Sequence, residues 1–358
     1  MTGQIWTDNA AGVQGSGDGP ASVRSTVLPS EARPAVSPSI PSGQNDHAAL
    51  EEAARAWLQH QPVLPLPGRG NTLQRWRALA GIAASDLCLA KVLEAHYDAQ
   101  AILAELGEAP LGTGELAAVW AAGGPHSTLC LEADGHCASG DKPWCSGAGL
   151  VDVALVTAQA VQGPQLLRIA LGQPGIEYQA STWQATGMGG IPSGWVHFAN
   201  VRCERVGAPG AYLQRPGFWH GGAGIAACWF GAAAALAQPL LRSPRIASDP
   251  LAAAMLGQVD MALAASAALL RELAAAIDAH PDDPHRLAVV RVRSQVERSC
   301  QRVLDVVGRA LGPAPMCLEA DHARRWSDLT VFVRQSHADH DWAELGRGLP
   351  PLETPWAL

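Results

Sequence analysis

The sequence predicts an α+β chain of several domains. Helices come first, then a small antiparallel β-barrel domain, then a C-terminal four-helix bundle. Three observations predict it. Residues 72–106 carry apolar side chains at helical spacing. From about 115 to 212, short apolar stretches are broken by Gly and Pro, with no helix between them. From about 217 onwards, long stretches regain the helical period, and such helices bury faces against one another as a bundle.

Taken in order, residues 1–47 are rich in Gly, Pro, Ser and Ala without apolar period, and read as a disordered or extended segment. Residues 48–114 form a short helical domain. Leu89, Val92, Leu93, His96, Ala99, Ile102 and Leu103 mark one helix face, and Ser85 or Asp86 is the expected N-cap. Residues 115–213 form the β domain. "STLCLEA" alternates, Asp134-Gly135 offers a tight turn, and "VDVALVTA", "QLLRIAL" and "GWVHFANVRCERV" read as strands. The bundle spans 214–346, followed by a tail at 347–358. Asp249-Pro250 starts a long helix that runs to "PDDP". The next helix carries Val289, Val292, Val296, Cys300, Val303 and Val307 and stops at Gly312-Pro313. Thr330–Leu345 completes the chain as one helix or two short ones.

Composition narrows the function classes. Of 358 residues, 48% are hydrophobic and 16% charged, which predicts a core-rich soluble chain. A net charge of −8 argues against a nucleic-acid binder, which needs a basic stripe. The eight cysteines lack zinc-site spacing, so no metal site is expected; they read as reduced, mostly buried thiols. The N-terminus shows no secretory pattern, and a cytoplasmic location is expected. Residues 221–241 hold no charge over 21 residues. They are mostly Ala and Gly with Gln238 and Pro239, which predicts a helix buried in the bundle rather than a membrane span.

The stretch "SGDKPWCSGAG", residues 139–149, sets an indole and a hydroxyl on a segment opened by three glycines. Those features suit either a β hairpin or a wall for a flat ligand. This stretch, "WQATGMGGIPSGWVHFANVRCERVGAPGAY", the long helix from Asp249 and "VGRALGPAPMCLEADHARRWSDLTVFVRQSHADHD" occur in an order that resembles the acyl-CoA dehydrogenase superfamily of flavoproteins, over roughly residues 50–346. The resemblance implies FAD, with FMN as the alternative, bound weakly or not at all. It places Trp144 over the isoalloxazine ring and Ser146 beside its reactive nitrogen, roles suited to an aromatic face and a hydroxyl donor. It likewise implies backbone or hydroxyl donors at Gly123, Gly124 and Ser127. Arg245 would grip a diphosphate with two donors, and Gly312 would contact it, although Gly312 also reads as a helix C-cap. A homodimer or homotetramer is implied as well.

Two departures from the resemblance bear on the reaction. Dehydrogenation of an acyl thioester such as an acyl-CoA needs a carboxylate base near the α-carbon. The two positions where relatives place that glutamate fall at Ser336, beside His337, and at "FWHGGAG", which offers His220. Neither holds a carboxylate. The closing stretch also resembles flavin-dependent monooxygenases of the same fold, in which a histidine near the flavin serves the chemistry and a separate reductase delivers reduced flavin. His337 matches best and His340 second; imidazole titrates near neutrality. Three readings follow: an acyl-CoA dehydrogenase-like enzyme, a two-component monooxygenase, and a non-catalytic member.

Overall fold

The computed structural model describes residues 47–123 and 126–349. The expected loose segment before His47, the donor at Gly124 and the tail from 350 lie outside the described residues.

Helices α1 (His47–His60), α2 (Thr72–Ser85) and α3 (Leu87–Glu105) come first. Asp86 is the N-cap of α3: its extended backbone stops α2, and its carboxylate accepts the Leu89 N–H at 2.8 Å. The predicted stripe from Leu89 to Leu103 is buried throughout. The start of α2 is held from elsewhere. Asp278 accepts the Thr72 hydroxyl at 2.6 Å and the Gly70 N–H at 3.0 Å, placing a carboxylate at a helix N-terminus.

Eight strands follow: β1 (Ala117–Trp120), β2 (Cys130–Leu131), β3 (Cys137–Lys142), β4 (Val153–Ala158), β5 (Gln165–Ala170), β6 (Ile176–Gln179), β7 (Trp195–Arg202) and β8 (Glu204–Val206). They form two four-stranded sheets, ordered β1-β4-β5-β8 and β2-β3-β7-β6. The pairings are antiparallel except β1–β4, which is parallel. The turn at Asp134-Gly135 joins β2 to β3, with the Gly135 N–H on the Glu132 carbonyl at 2.9 Å and Gly135 at φ 74°. Only Cys130 and Leu131 of the alternating "STLCLEA" pair as strand.

The bundle comprises α4 (Ala211–Gln214), α5 (Gly217–Leu241), α6 (Pro250–Ala279), α7 (Arg286–Leu311), α8 (Ala314–Leu318), α9 (Ala320–Phe332) and α10 (Asp339–Gly348). Helix α5 contains the uncharged stretch, and its Trp229, Ala232, Ala233 and Leu236 are fully buried, as expected. Its small residues allow close approach: a Cβ at Gly231 would overlap the Ala80 carbonyl of α2. Asp249 caps α6, accepting the Leu251 N–H at 2.9 Å, with Pro250 in the first turn. Helices α5 and α6 are both long and apolar enough to cross a membrane, yet their burial differs. The most apolar window of α5 is 61% buried and that of α6 only 17%, with Leu251 and Met261 exposed. Gly312 ends α7 at φ 68°. The closing segment breaks after Phe332 into a 3-10 turn, Val333–Gln335, before α10. Trp120, Trp229, Tyr97, Phe198 and Phe332 are the largest side chains of the core. The eight cysteines are free thiols.

Candidate functional site

Past the end of β3, the chain turns outward. Trp144 takes φ 63° and its side chain stands 59% exposed, edge-on to Trp183 with ring centres 6.5 Å apart. The next residues are pinned. Cys145 is buried and its N–H donates to the Gly194 carbonyl at 3.0 Å, while the Gly147 N–H donates to Pro192 at 2.7 Å. Ser146 gives its carbonyl to the Trp120 indole N–H at 2.9 Å. Its hydroxyl lies 3.0 Å from Ser193 Oγ, which also reaches the Ile191 carbonyl at 3.2 Å, so the two hydroxyls belong to one short hydrogen-bonded chain. Gly147 and Gly149, at φ 81° and 85°, provide the left-handed turns the segment needs. The fold therefore presents one indole and one hydroxyl on a rigid edge.

Lys142, two residues earlier, is 1% exposed. Its ammonium donates to the Thr157 carbonyl at 2.8 Å, to Thr157 Oγ1 at 2.7 Å and to Ser127 Oγ at 3.4 Å. None of these partners is a carboxylate, and burial lowers the amine to about 8. The structure thus places Ser127 against Lys142, tying its loop to β4.

The loop before β7 packs on α9. Met188 N–H donates to Asp328 Oδ1 at 2.5 Å, and a Cβ at Gly187 would overlap the Ser327 carbonyl. Asp328 is 4% exposed, and burial pushes its carboxyl up to about 6. Beside this junction lies a cleft of about 520 Å³ lined by Thr186, Gly187, Met316, Trp326, Thr330 and Val331.

The turn after α9 carries Ser336 and His337. Ser336 is buried, and its hydroxyl donates at 2.6 Å to Glu297 Oε2 on α7. Glu297, also buried, accepts from Gln301 at 2.9 Å and from Arg334 at 3.3 Å. Glu297 thus brings a buried carboxylate to the Ser336 hydroxyl from another helix. The next residue is different: the His337 ring is 77% exposed. Buried Asp341 accepts the His337 backbone N–H at 3.2 Å and faces the ring Nδ1 at 3.4 Å, leaving Nε2 toward solvent. His340 is exposed on α10. His220 is 2% exposed, and its Nε2 contacts the Asp283 carbonyl at 2.9 Å. That ring tethers the first turn of α5 to the loop before α7, and burial lowers its pKa.

Arg245 lies against the end of α7. It donates to the Ala310 carbonyl at 3.0 Å and to Asp249 at 2.7 Å, two residues from Gly312 in the first case, and remains 58% exposed. Most of the residues expected from sequence fall into three groups: Trp144 and Ser146 with Ser193; Ser336, His337 and His340 with Glu297 and Asp341; and Arg245 with the chain end before Gly312; Ser127 sits instead on Lys142 and His220 on Asp283. Ser193, Glu297, Asp341 and Lys142 were not singled out by sequence.

No family model and no curated protein matches the chain. Solved structures do. Butyryl-CoA dehydrogenase from Megasphaera elsdenii superposes with a TM-score of 0.69 at 15% identity, covering 85% of this chain and 90% of that one. Dibenzothiophene monooxygenase from Paenibacillus sp. A11-2 does so at 0.66 and 18% identity, covering 84% and 89%. A prolyl acyl carrier protein oxidase gives 0.69 at 16% identity, covering 84% and 90%. The chain has the acyl-CoA dehydrogenase fold, which dehydrogenases, oxidases and monooxygenases share.

Proposed function

We propose that this chain is a flavin-dependent oxidoreductase acting on a small molecule, with a histidine as its proton-transfer group. The observation that carries the reading is the His337–Asp341 pair. An exposed imidazole with a buried carboxylate facing Nδ1 at 3.4 Å has its other ring nitrogen free to take or give a proton. The same carboxylate anchors the residue by accepting its backbone N–H at 3.2 Å. Flavin fits the other features. Trp144 offers an exposed indole for stacking, Ser146 a half-buried hydroxyl two residues on, and Arg245 presents an exposed charge for phosphate. A bound FAD or FMN would supply electron transfer, which no side chain here can. A relative of this fold has been solved with FMN and indole, and another with FADH2. The reading is closest to a two-component monooxygenase fed by a separate flavin reductase. The exposed apolar face of α6 supports a homodimer or homotetramer.

A specific observation favours a second reading, acyl-CoA dehydrogenation. Glu297 accepts from the Ser336 hydroxyl at 2.6 Å, and Ser336 is the position at which the resemblance expects the base. In that case butyryl-CoA bleaches the flavin band, and Glu297→Gln abolishes the bleaching.

Absorbance spectra before and after loading with FAD or FMN and desalting, together with anaerobic binding of reduced flavin, test the first reading. The expected result is binding of reduced flavin and oxygen-dependent turnover of an aromatic probe such as indole. His337→Ala should lower that turnover at least 100-fold, within the usual range for a lost general base, with flavin binding unchanged. A protein that binds neither oxidised nor reduced flavin overturns both readings and leaves a non-catalytic protein of this fold.

A further inference from the structure

A second cleft, of about 460 Å³, opens where the last turns of α5 meet the start of α9. Ala235 and Pro239 line one wall, and Glu319, His322 and Arg325 line the other. It lies on a different face of α9 from the cleft beside Gly187. The Trp326 ring borders that cleft and packs at 6.1 Å from the His322 ring.

The donors of this site are unspent. Arg325 has five N–H groups and, among the described residues, one acceptor, the Ser85 carbonyl at 3.3 Å. Its Nε is buried without a partner, and of the four remaining N–H groups only one, on Nη2, has a protein acceptor among the described residues. His322 is 5% exposed, yet neither ring nitrogen has a hydrogen-bond partner among the described residues. Burial lowers its pKa, so at neutral pH the ring is neutral, with one nitrogen to donate and one to accept.

The acceptors are also unspent. Glu319 is exposed at the head of α9 and makes no ion pair among the described residues. Asp321, by contrast, is taken by Arg324 at 3.2 Å. Pro239 has no N–H for the Ala235 carbonyl four residues earlier, so that carbonyl lacks its usual helical partner. One small space thus holds a guanidinium and an imidazole together with a carboxylate and a freed carbonyl.

We propose that this cleft binds a small zwitterion, a molecule with a carboxylate and a protonated amine as in a free amino acid. The carboxylate pairs with Arg325 and His322; the ammonium pairs with Glu319 and the Ala235 carbonyl. The assignment is independent of the flavin reading, because none of these residues belongs to the three groups described above.

The test uses the purified full chain. Each of the twenty amino acids is screened by thermal shift, and any that raises Tm is measured by titration calorimetry. The matching carboxylic acid without the amine, and the amine without the carboxylate, serve as halves; for leucine these are 4-methylpentanoate and 3-methylbutylamine. The expected result is saturable binding of at least one amino acid, with both halves at least tenfold weaker. Glu319→Gln, on the surface and harmless to folding, and Arg325→Gln should each weaken binding about tenfold, the effect of losing one charge-assisted hydrogen bond. No amino acid raising Tm overturns the proposal. So does a half that binds as tightly as the whole, or binding that Glu319→Gln leaves intact.

Discussion

Asp328 makes the junction between the β domain and α9 sensitive to pH. Its carboxyl is raised from 3.8 to about 6, chiefly by burial, with nearby Asp86 adding to the rise and Arg324 opposing it. A rise of about two pH units at 1.36 kcal/mol each amounts to about 3 kcal/mol of linked stability. The sign follows from proton counting. Between about pH 4 and 6 the folded protein holds this proton more tightly than the unfolded chain does. The contribution is therefore full below about pH 4 and lost as pH rises through about 6. The perturbation is Asp328→Asn, which keeps an oxygen for the Met188 N–H and removes the titration. Urea unfolding of both proteins at pH 4, 5, 6 and 7 is the assay. The wild type should lose about 3 kcal/mol relative to the variant across that range. Other groups titrate in both proteins and cancel in the difference. Parallel stability curves would refute the argument that Asp328 is held neutral by its surroundings.

Further expectations concern the aromatic edge and the helix packing. Trp144→Ala should weaken flavin retention about tenfold, the loss of one stacking contact. It should leave Tm nearly unchanged, because the ring is mostly exposed; a large drop in Tm would mean that the ring is structural. Gly231→Ala should cost about 1–3 kcal/mol in denaturant unfolding, because its methyl group meets the Ala80 carbonyl, which is backbone and cannot easily yield. A neutral effect would show that α2 and α5 are less tightly seated than described.

What could be read from sequence was decided locally. Asp86 and Asp249-Pro250 mark helix starts by cap chemistry, and Gly312 marks an end. The valines of α7 show its buried face. The missed strands were decided elsewhere. β3, "CASGDK", has poor strand residues and exists because it pairs with β7. β1, "AAVW", is buried on both faces beside parallel β4 and shows no alternation. The site divided in the same way. Trp144, Ser146 and His337 could be singled out because they sit in recognisable stretches. Glu297 reaches Ser336 across 39 positions of sequence, and Ser193 reaches Ser146 across 47, so neither partner carries a local mark. The exposed apolar surface of α6 was not legible, because composition does not say which face of a helix meets a neighbour.

The backbone at Trp144 shows what the fold gives up to hold its ring outward. A bulky residue at φ 63° sits in a region where glycine is at ease, and costs about 1–3 kcal/mol. The same local geometry with glycine would relax that cost and remove the ring with it. Trp144→Gly should therefore raise the unfolding midpoint above both the wild type and Trp144→Ala, while losing ligand affinity as alanine does. Residue 144 is thus a place where a strained backbone holds an aromatic ring out in solvent.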